Sequence, residues 1–212
     1  MSYMYENRRD AGRQLAKALF KFNNEEVVVL AVPRGGLPLG LIVAQVLKAP
    51  LDIVLSKKIG HPYNKEYAIG AISLDNIILT DAMGVTKGYI EEETMSLRKK
   101  LKKRYRQYYK NRTPEKLKNK TVIIVDDGAA TGNTILITID LIQRQKPNKV
   151  IVALPVGSFS AIDNLKNNSK IDELICLKTP HNFRSVGQFY EEFDQVSDEE
   201  AVELLKNGTK LN

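Results

Sequence analysis

Runs of branched apolar residues alternate with segments of helical pattern along most of the chain. Continuous runs of Val, Ile and Leu are typical of strands buried on both faces, whereas apolar positions recurring every three or four residues indicate helices. The pattern predicts strands at 25–32, 51–56, 120–127, 148–156 and 172–177. It predicts helices at 37–48, 86–110, 134–145, 160–168 and 197–207. Two short strands are also predicted within 67–80, joined by a hairpin turn at Asp75 and Asn76.

The order of these elements predicts an α/β domain, with a Rossmann-like parallel β-sheet flanked by helices. In such sheets, ligands bind beyond the carboxyl ends of the strands. Three predicted strands end in unusual sequence: AVPRGG (31–36), LSKKIGHP (55–62) and VDDGAATGNT (125–134). We therefore expect these three segments to meet at one edge of the sheet and to form the functional site.

Composition places few further limits on the class of protein. The 212 residues suit a single domain, and 43% hydrophobic with 27% charged residues is ordinary for a globular chain. No apolar run approaches the roughly 18 residues that span a membrane, and the N-terminus lacks the apolar core of a signal peptide, so we expect a cytoplasmic protein without a membrane segment. A single cysteine and two histidines are too few for an internal disulfide or a structural zinc site.

The segment VIIVDDGAATGNT (122–134) carries the main candidate chemistry. Its small residues lead directly into a predicted helix, whose first N–H groups can hold a phosphate. Asp126 and Asp127 would repel a bare phosphate, but carboxylates accept hydrogen bonds from sugar hydroxyls. The residues thus indicate a site for a ribose 5-phosphate, with the loop on the phosphate and the acids on the sugar.

This segment resembles the 13-residue signature of type I phosphoribosyltransferases, which bind phosphoribosyl pyrophosphate (PRPP). NRRDAGRQLA (7–16), VPRGGLPLG (32–40), KKIGHPYNKEYAIGA (57–71) and TPHNFRSVGQFYEEFDQVSDEE (179–200) also resemble proteins of that family. The resemblance implies a Mg²⁺-dependent enzyme that transfers a phosphoribosyl group from PRPP to a small-molecule acceptor. It also implies that the protein is a homodimer. It assigns the ribose-phosphate site to Asp126, Asp127, Gly128, Ala129, Ala130, Thr131, Gly132, Asn133 and Thr134.

The same resemblance places the pyrophosphate on Arg34, Gly35, Gly36, Lys57 and Lys58. It implies a non-proline cis peptide near Arg34 and Gly35, and a mobile loop at 56–66 that closes over the site. The catalytic set would be Asp126, Asp127, Lys57, Lys58 and Arg34, with the two acids also placing Mg²⁺, directly or through water. Without the resemblance, 33–36 would be an ordinary strand-to-helix turn and the lysines a surface pair.

The resemblance also implies a single domain over 1–212, with a core at about 20–178 and a hood from about 1–15 and 179–212. The hood would select the acceptor through Phe183, Arg184, Phe189 and Tyr190, since aromatic rings with polar neighbours suit a planar base. These residues could equally form the core of a C-terminal subdomain. Ala130 stands where enzymes for 6-oxopurines usually carry an acid. This argues against a 6-oxopurine acceptor without identifying another.

The predicted helix at 86–110 is strongly basic. Nine Lys and Arg residues lie in 98–112. The whole chain has a net charge of +7, and the part outside this helix is close to neutral. We expect a solvated helix face more than a nucleic-acid surface, since acids lead the helix and cations end it. The alternative function is a regulator on the same fold that senses PRPP or a nucleotide and binds RNA or DNA.

Overall fold

Five parallel strands form the sheet that organises the molecule. The computed structural model describes residues 4–80, 82–110 and 112–208, with only the backbone of Glu66. From one edge of the sheet to the other, the strands are β2 (Leu51–Ile53), β1 (Val27–Ala31), β6 (Thr121–Val125), β7 (Lys149–Val156) and β8 (Glu173–Lys178). All four pairings are parallel. The predicted fold class, a parallel sheet flanked by helices, is confirmed.

Helices cover both faces of this sheet. They are α1 (Arg8–Leu19), α2 (Gly36–Leu47), α3 (Lys87–Tyr109), α4 (Asn133–Gln143), α5 (Phe159–Lys166) and α6 (Asp198–Gly208), with 3-10 turns at Phe20–Phe22 and Val186–Phe189. Side chains of each strand alternate between two cores, as the period of a strand requires. Val29 and Ile123 pack toward α1, α2 and α6, whereas Val28 and Ile124 pack toward α4 and α5. Because both faces are buried, the strands are continuous apolar runs in the sequence.

A second, antiparallel sheet projects from the end of β2. It consists of β3 (Lys57–His61), β4 (Asn64–Ile72) and β5 (Ile77–Leu79), in that order. The predicted hairpin turn is confirmed, because the N–H of Ser73 donates to the carbonyl of Asn76 at 2.8 Å. The segment 56–66, expected to be a loop, is instead part of a β-hairpin, in which Lys57 pairs with Ile72 and His61 with Asn64. Its closure over the site stays a prediction. The buried Ile59 anchors this strand in the main core.

Helix α1 is an element that the periodicity argument missed. Asn7 caps it, since the Asn7 side chain accepts from the N–H groups of Arg9 and Asp10. Ala11, Leu15 and Leu19 lie one turn apart and are buried in the same core as the sheet. In the N-terminal segment assigned to the hood, Tyr5, Ala11 and Leu15 therefore lie in the main core. Residues 1–3 and 209–212 of the predicted hood lie outside the described residues.

A buried carboxylate ties β2 to the end of α3. Asp52 is 2% exposed and accepts from the hydroxyl of Tyr109 at 2.6 Å and from the N–H groups of Ile53 and Glu115 at 2.8 and 2.7 Å. Burial raises the pKa of Asp52, and these three donors oppose that rise. The carboxylate is thus fully bonded in a place where an unpaired charge would be costly.

We expect Tyr109→Phe to lower the free energy of unfolding by about 1–3 kcal/mol, because it leaves an oxygen of buried Asp52 without its donor. The matched control is Tyr105→Phe. The Tyr105 ring stacks on that of Tyr109 at 4.6 Å, but its hydroxyl makes no hydrogen bond within the described part of the chain. Urea unfolding of the two variants checks this. Equal losses would contradict the role given to the Asp52 network.

Candidate active site

Two loops at the carboxyl end of the sheet are in direct contact. A Cβ atom added to Gly35, after β1, would lie 2.0 Å from Oδ2 of Asp127, after β6. One added to Gly36 would lie 2.5 Å from the carbonyl oxygen of Val125. Only glycine allows this approach, so PRGG and VDDG meet as the sequence predicts. The non-proline cis peptide lies between Pro33 and Arg34, one bond before the expected position.

The loop at 128–134, predicted to bind phosphate and called here the phosphate-type loop, is fixed in its first half and open in its second. The N–H of Ala129 donates to the carbonyl of Val156 at 3.0 Å, and Ser158 Oγ donates to the carbonyl of Ala130 at 2.6 Å. Beyond this anchor, Thr131, Asn133 and Thr134 are exposed to solvent. The junction of β7 and α5 therefore holds the loop in place and leaves its outer half accessible to a ligand.

The open half of the loop leads into the N-terminus of α4. Gly132 precedes this helix with φ +76°, a left-handed conformation that favours glycine, and as the N-cap residue it has no side chain to cap the helix. Thr131 Oγ1 accepts from the N–H of Asn133 at 3.4 Å. The N–H groups of Ala130 and Thr131 have no hydrogen-bond partner among the described residues. Such a group of free donors at the positive end of a helix dipole is suited to an anion.

The two carboxylates of the motif have different surroundings. Asp127 is held by Arg8, whose Nε and Nη2 both lie 2.9 Å from Oδ2, and the hydroxyl of Tyr190 donates to the Asp127 carbonyl at 2.6 Å. Asp126 has no cation at ion-pair distance among the described side chains, and its Oδ1 accepts from the N–H of Asp127 at 2.9 Å. Asp127 is thus the fixed member of the pair.

The pKa values of the two acids follow from these contacts. Burial, and then the charge of Asp127, raise the pKa of Asp126 well above its ordinary value. Burial also raises the pKa of Asp127, but the Arg8 guanidinium opposes that rise. Like charges this close do not ionise together without cost, so the pair favours one proton on Asp126.

Arg8 is a site residue that the sequence argument did not identify. It comes from the first turn of α1, its Nη1 donates to the carbonyl of Asp194 at 2.6 Å, and its guanidinium lies 3.8 Å from the ring centroid of Phe193. The arginine therefore joins the N-terminal helix, the acid pair and the C-terminal segment. Its only signal in the sequence was its place in NRRDAGRQLA, one of the segments that carry the family resemblance.

A cleft of about 630 Å³ lies beside the open half of the loop. Its polar lining consists of Ser56, Lys57, Lys58, Arg104, Thr131, Asn133 and Thr134. The described lining contains three cations and no carboxylate. Burial is the main cause of the lowered pKa of Lys57, and the nearby charges of Arg104 and Lys100 lower it further. The structure thus brings the two predicted lysines together with the phosphate-type loop and adds Arg104 from α3.

Arg34 lies apart from this cleft lining. Its Nη1 is 3.5 Å from Oδ1 of Asp198 in α6, and the same oxygen accepts from the hydroxyl of Tyr108 at 2.9 Å. The Tyr108 hydrogen bond is the largest cause of the lowered pKa of Asp198. Of the residues expected to hold pyrophosphate, the structure therefore gathers Lys57 and Lys58 and directs the side chain of Arg34 toward α6.

The four residues assigned to the hood differ in exposure. Phe189 and Tyr190 are buried, and the ring of Phe183 packs on that of Phe189 with centroids 5.2 Å apart. Arg184 is exposed, and its N–H donates to Oε1 of Gln188 at 3.0 Å. Tyr190 thus contacts Asp127 through its hydroxyl, and the contact of these four residues with an acceptor stays a prediction.

Comparison with known proteins identifies the family. A family model described as the phosphoribosyl transferase domain matches residues 4–192. The chain is 36% identical over 207 residues to "Putative phosphoribosyl transferase Rv0571c" of Mycobacterium tuberculosis, covering 95% of this chain and 46% of that protein. This chain therefore spans about half the length of the curated relatives it matches. The chain belongs to the phosphoribosyl transferase domain family.

Solved structures agree on the fold. The crystal structure of TT1426 from Thermus thermophilus has a TM-score of 0.88 at 35% identity, covering 95% of this chain and 97% of that one. A protein of Neisseria gonorrhoeae, solved with bound ppGpp, has a TM-score of 0.50 at 13% identity, covering 98% and 96%. The second match shows a shared fold alone. Among the described residues, no helix is long and apolar enough to cross a membrane.

Gly35→Ala should disrupt the site, because its methyl group would displace the Asp127 carboxylate and separate the two loops. Overpacking of this kind costs about 1–3 kcal/mol. Gly88→Ala is the control, since a methyl group there meets no atom within 4 Å. Thermal unfolding should show a clear drop for Gly35→Ala and none for Gly88→Ala. A Gly35→Ala protein as stable as the wild type would show that the two loops are not tightly packed.

Asp126→Asn should stabilise the ligand-free protein at neutral pH. The raised pKa of Asp126 means that its ionisation opposes folding once the pH exceeds the unfolded-state pKa of about 3.9. Asparagine removes this cost and keeps the acceptor for the N–H of Asp127. We expect a gain of about 1 kcal/mol, or roughly 2–4 °C in Tm at pH 7 with a chelator present.

The gain should disappear below about pH 4, where Asp126 is protonated in both the folded and unfolded states. Asp163→Asn, an exposed position on α5, should leave Tm unchanged at either pH. A lower Tm for Asp126→Asn at pH 7 would mean that ionised Asp126 stabilises the fold, contrary to this account.

Proposed function

We propose that this chain transfers the 5-phosphoribosyl group of PRPP to a nitrogenous base and releases pyrophosphate. The observation that carries the proposal is the arrangement of three unlike parts at one edge of the sheet. The loop at the N-terminus of α4 suits the 5-phosphate, an acid pair suits the sugar hydroxyls, and a cation-lined cleft suits the leaving group.

The reaction breaks the bond between C1 of the ribose and the pyrophosphate oxygen, and a nitrogen of the acceptor forms a new bond to that carbon. Positive charge develops on the sugar and negative charge on the leaving group. Asp126 and Asp127 lie where they would hold the ribose and favour the cationic sugar, while Lys57 and Lys58 would stabilise the departing pyrophosphate. Gly35 and Gly36 would contact the pyrophosphate through their backbone, as the family resemblance implies. The protein thus positions and neutralises, and no covalent intermediate is required.

Mg²⁺ is part of this proposal, and the donor set fits it. The described residues contain no cluster of three or more His, Cys, Asp or Glu that could hold a metal by themselves. Mg²⁺ commonly binds through one or two carboxylates together with substrate phosphates and water. Asp126, with no cation at ion-pair distance among the described side chains, and Asp127 would supply the carboxylates. When bound, the ion would neutralise part of the phosphate charge.

The acceptor, a homodimer and a cytoplasmic location remain predictions. Beside Asp127, the ring of Phe193 lies 4.9 Å from that of buried Tyr190 and 3.8 Å from the Arg8 guanidinium. We expect a planar base to contact the exposed part of Phe193. Light scattering on the purified protein tests the dimer separately from the reaction.

Pyrophosphate release from PRPP and Mg²⁺, measured against a panel of purine, pyrimidine and nicotinate-type bases, tests the proposal. We expect release with one class of base, and at least a hundredfold loss in Asp126→Asn/Asp127→Asn, since the variant lacks the carboxylates proposed to hold the ribose and Mg²⁺. Asp163→Asn is the control for a neutral surface change.

Tight PRPP binding without release for any base would contradict the transferase and favour a regulator that senses PRPP or a nucleotide. Binding of RNA or DNA, weakened by salt and by neutralising Lys99, Lys102 and Lys103, would then identify its partner. No binding of PRPP at all would exclude both functions.

A further inference from the structure

We infer that Arg104 of α3, rather than Arg34 of the PRGG loop, is the arginine that binds the leaving pyrophosphate. That the pyrophosphate is a leaving group rests on the proposed function, whereas the anion site itself is defined by the cleft. It gives a binding role to one residue of a helix whose basic face the sequence had assigned to solvent.

The surroundings of Arg34 argue against its direct role. Its guanidinium shares Asp198 with the hydroxyl of Tyr108, so it belongs to a network that joins the PRGG loop to α3 and α6. It is absent from the cleft lining, although its neighbours Val32 and Pro33 are present there. Arg34 thus has a partner and a structural task in the ligand-free protein.

Arg104, unlike Arg34, lines the cleft and lacks an ion-pair partner among the described side chains. It lies one turn after Leu101 and one turn before Tyr108, on the face of α3 that packs against the domain, and both of these neighbours are buried. It is half-buried, lines the cleft with Lys57 and Lys58, and has no carboxylate at ion-pair distance among the described side chains. Asp198 is the acid that senses its charge, but the Asp198 carboxylate is already bonded to Tyr108 and Arg34.

The chemistry of the group explains why an arginine here matters. A guanidinium presents a planar fork of donors that can bind two phosphate oxygens at once, and it keeps its charge in a crowded cationic cleft. Lys57 lies close enough to Arg104 for each charge to disfavour the other. Without an anion this arrangement is unfavourable, and a diphosphate would relieve the repulsion. A cluster of like charges facing a cleft is therefore expected to bind a strongly anionic group.

Arg106 provides a matched control. It is the same residue type on the same helix, two positions further along, but it is exposed and lies outside the cleft lining. Any effect of net charge or of helix propensity should be shared by Arg104→Ala and Arg106→Ala. A difference between the two variants therefore measures the effect of the position of Arg104 in the cleft.

The experiment is calorimetric titration of inorganic pyrophosphate with Mg²⁺ into the full chain and its Arg104→Ala, Arg104→Lys, Arg34→Ala and Arg106→Ala variants. Loss of one charge-assisted contact predicts a Kd raised about ten- to a hundredfold in Arg104→Ala, and less than about threefold in Arg34→Ala and Arg106→Ala. Arg104→Lys should recover part of the affinity. Thermal melting checks that each variant is folded.

Equal losses in Arg104→Ala and Arg34→Ala, or a loss in Arg34→Ala alone, would overturn the inference. So would unchanged affinity in Arg104→Ala, or no binding of pyrophosphate by the wild type. Binding that depends on Arg104, in a protein that releases no pyrophosphate from PRPP with any base, would support the anion site and reject the transferase. The two proposals therefore fail by different results.

Discussion

The contact between Gly35 and the Asp127 carboxylate is the constraint on which the site depends. It brings the loop after β1 against the loop after β6 at a distance that no side chain could occupy. Arg8 then binds the Asp127 carboxylate and Tyr190 binds its backbone carbonyl, so the residue is held by three segments that are far apart in the sequence. The acid pair takes its position from this junction, and the junction of β7 and α5 anchors the loop that follows the pair.

Fixing Asp127 separates the roles of two adjacent and otherwise identical carboxyl groups. Arg8 stabilises the charge of Asp127, while burial and that same charge raise the pKa of Asp126. Asp127 is therefore a rigid anchor, and Asp126 is the acid that more readily holds a proton or accepts a ligand. A site that must bind both an anionic phosphate and a neutral sugar benefits from this division, since two full charges would oppose the phosphate.

The sequence was most informative where local pattern and chemistry agree. The strands at 27–31 and 121–125 and the loop that follows the second were predicted because buried parallel strands and phosphate loops have distinctive composition. Helix α1 was missed, because its apolar positions are few and its most informative residue, Arg8, is polar. The β3–β4 hairpin was taken for a loop because Gly60 and Pro62 are typical of turns, and only the pairing of Lys57 with Ile72 shows otherwise. Arg34 and Arg104 could not be distinguished by sequence, since their roles depend on tertiary neighbours such as Asp198.

A crystal structure of the protein with PRPP and Mg²⁺ tests the central claim most directly. The account predicts the 5-phosphate on the backbone of residues 130–134, the ribose hydroxyls at Asp126 and Asp127, and the pyrophosphate in the cleft between Lys57 and the loop. A PRPP molecule bound elsewhere, or bound with its pyrophosphate on the 130–134 loop, would contradict the assignment of this site.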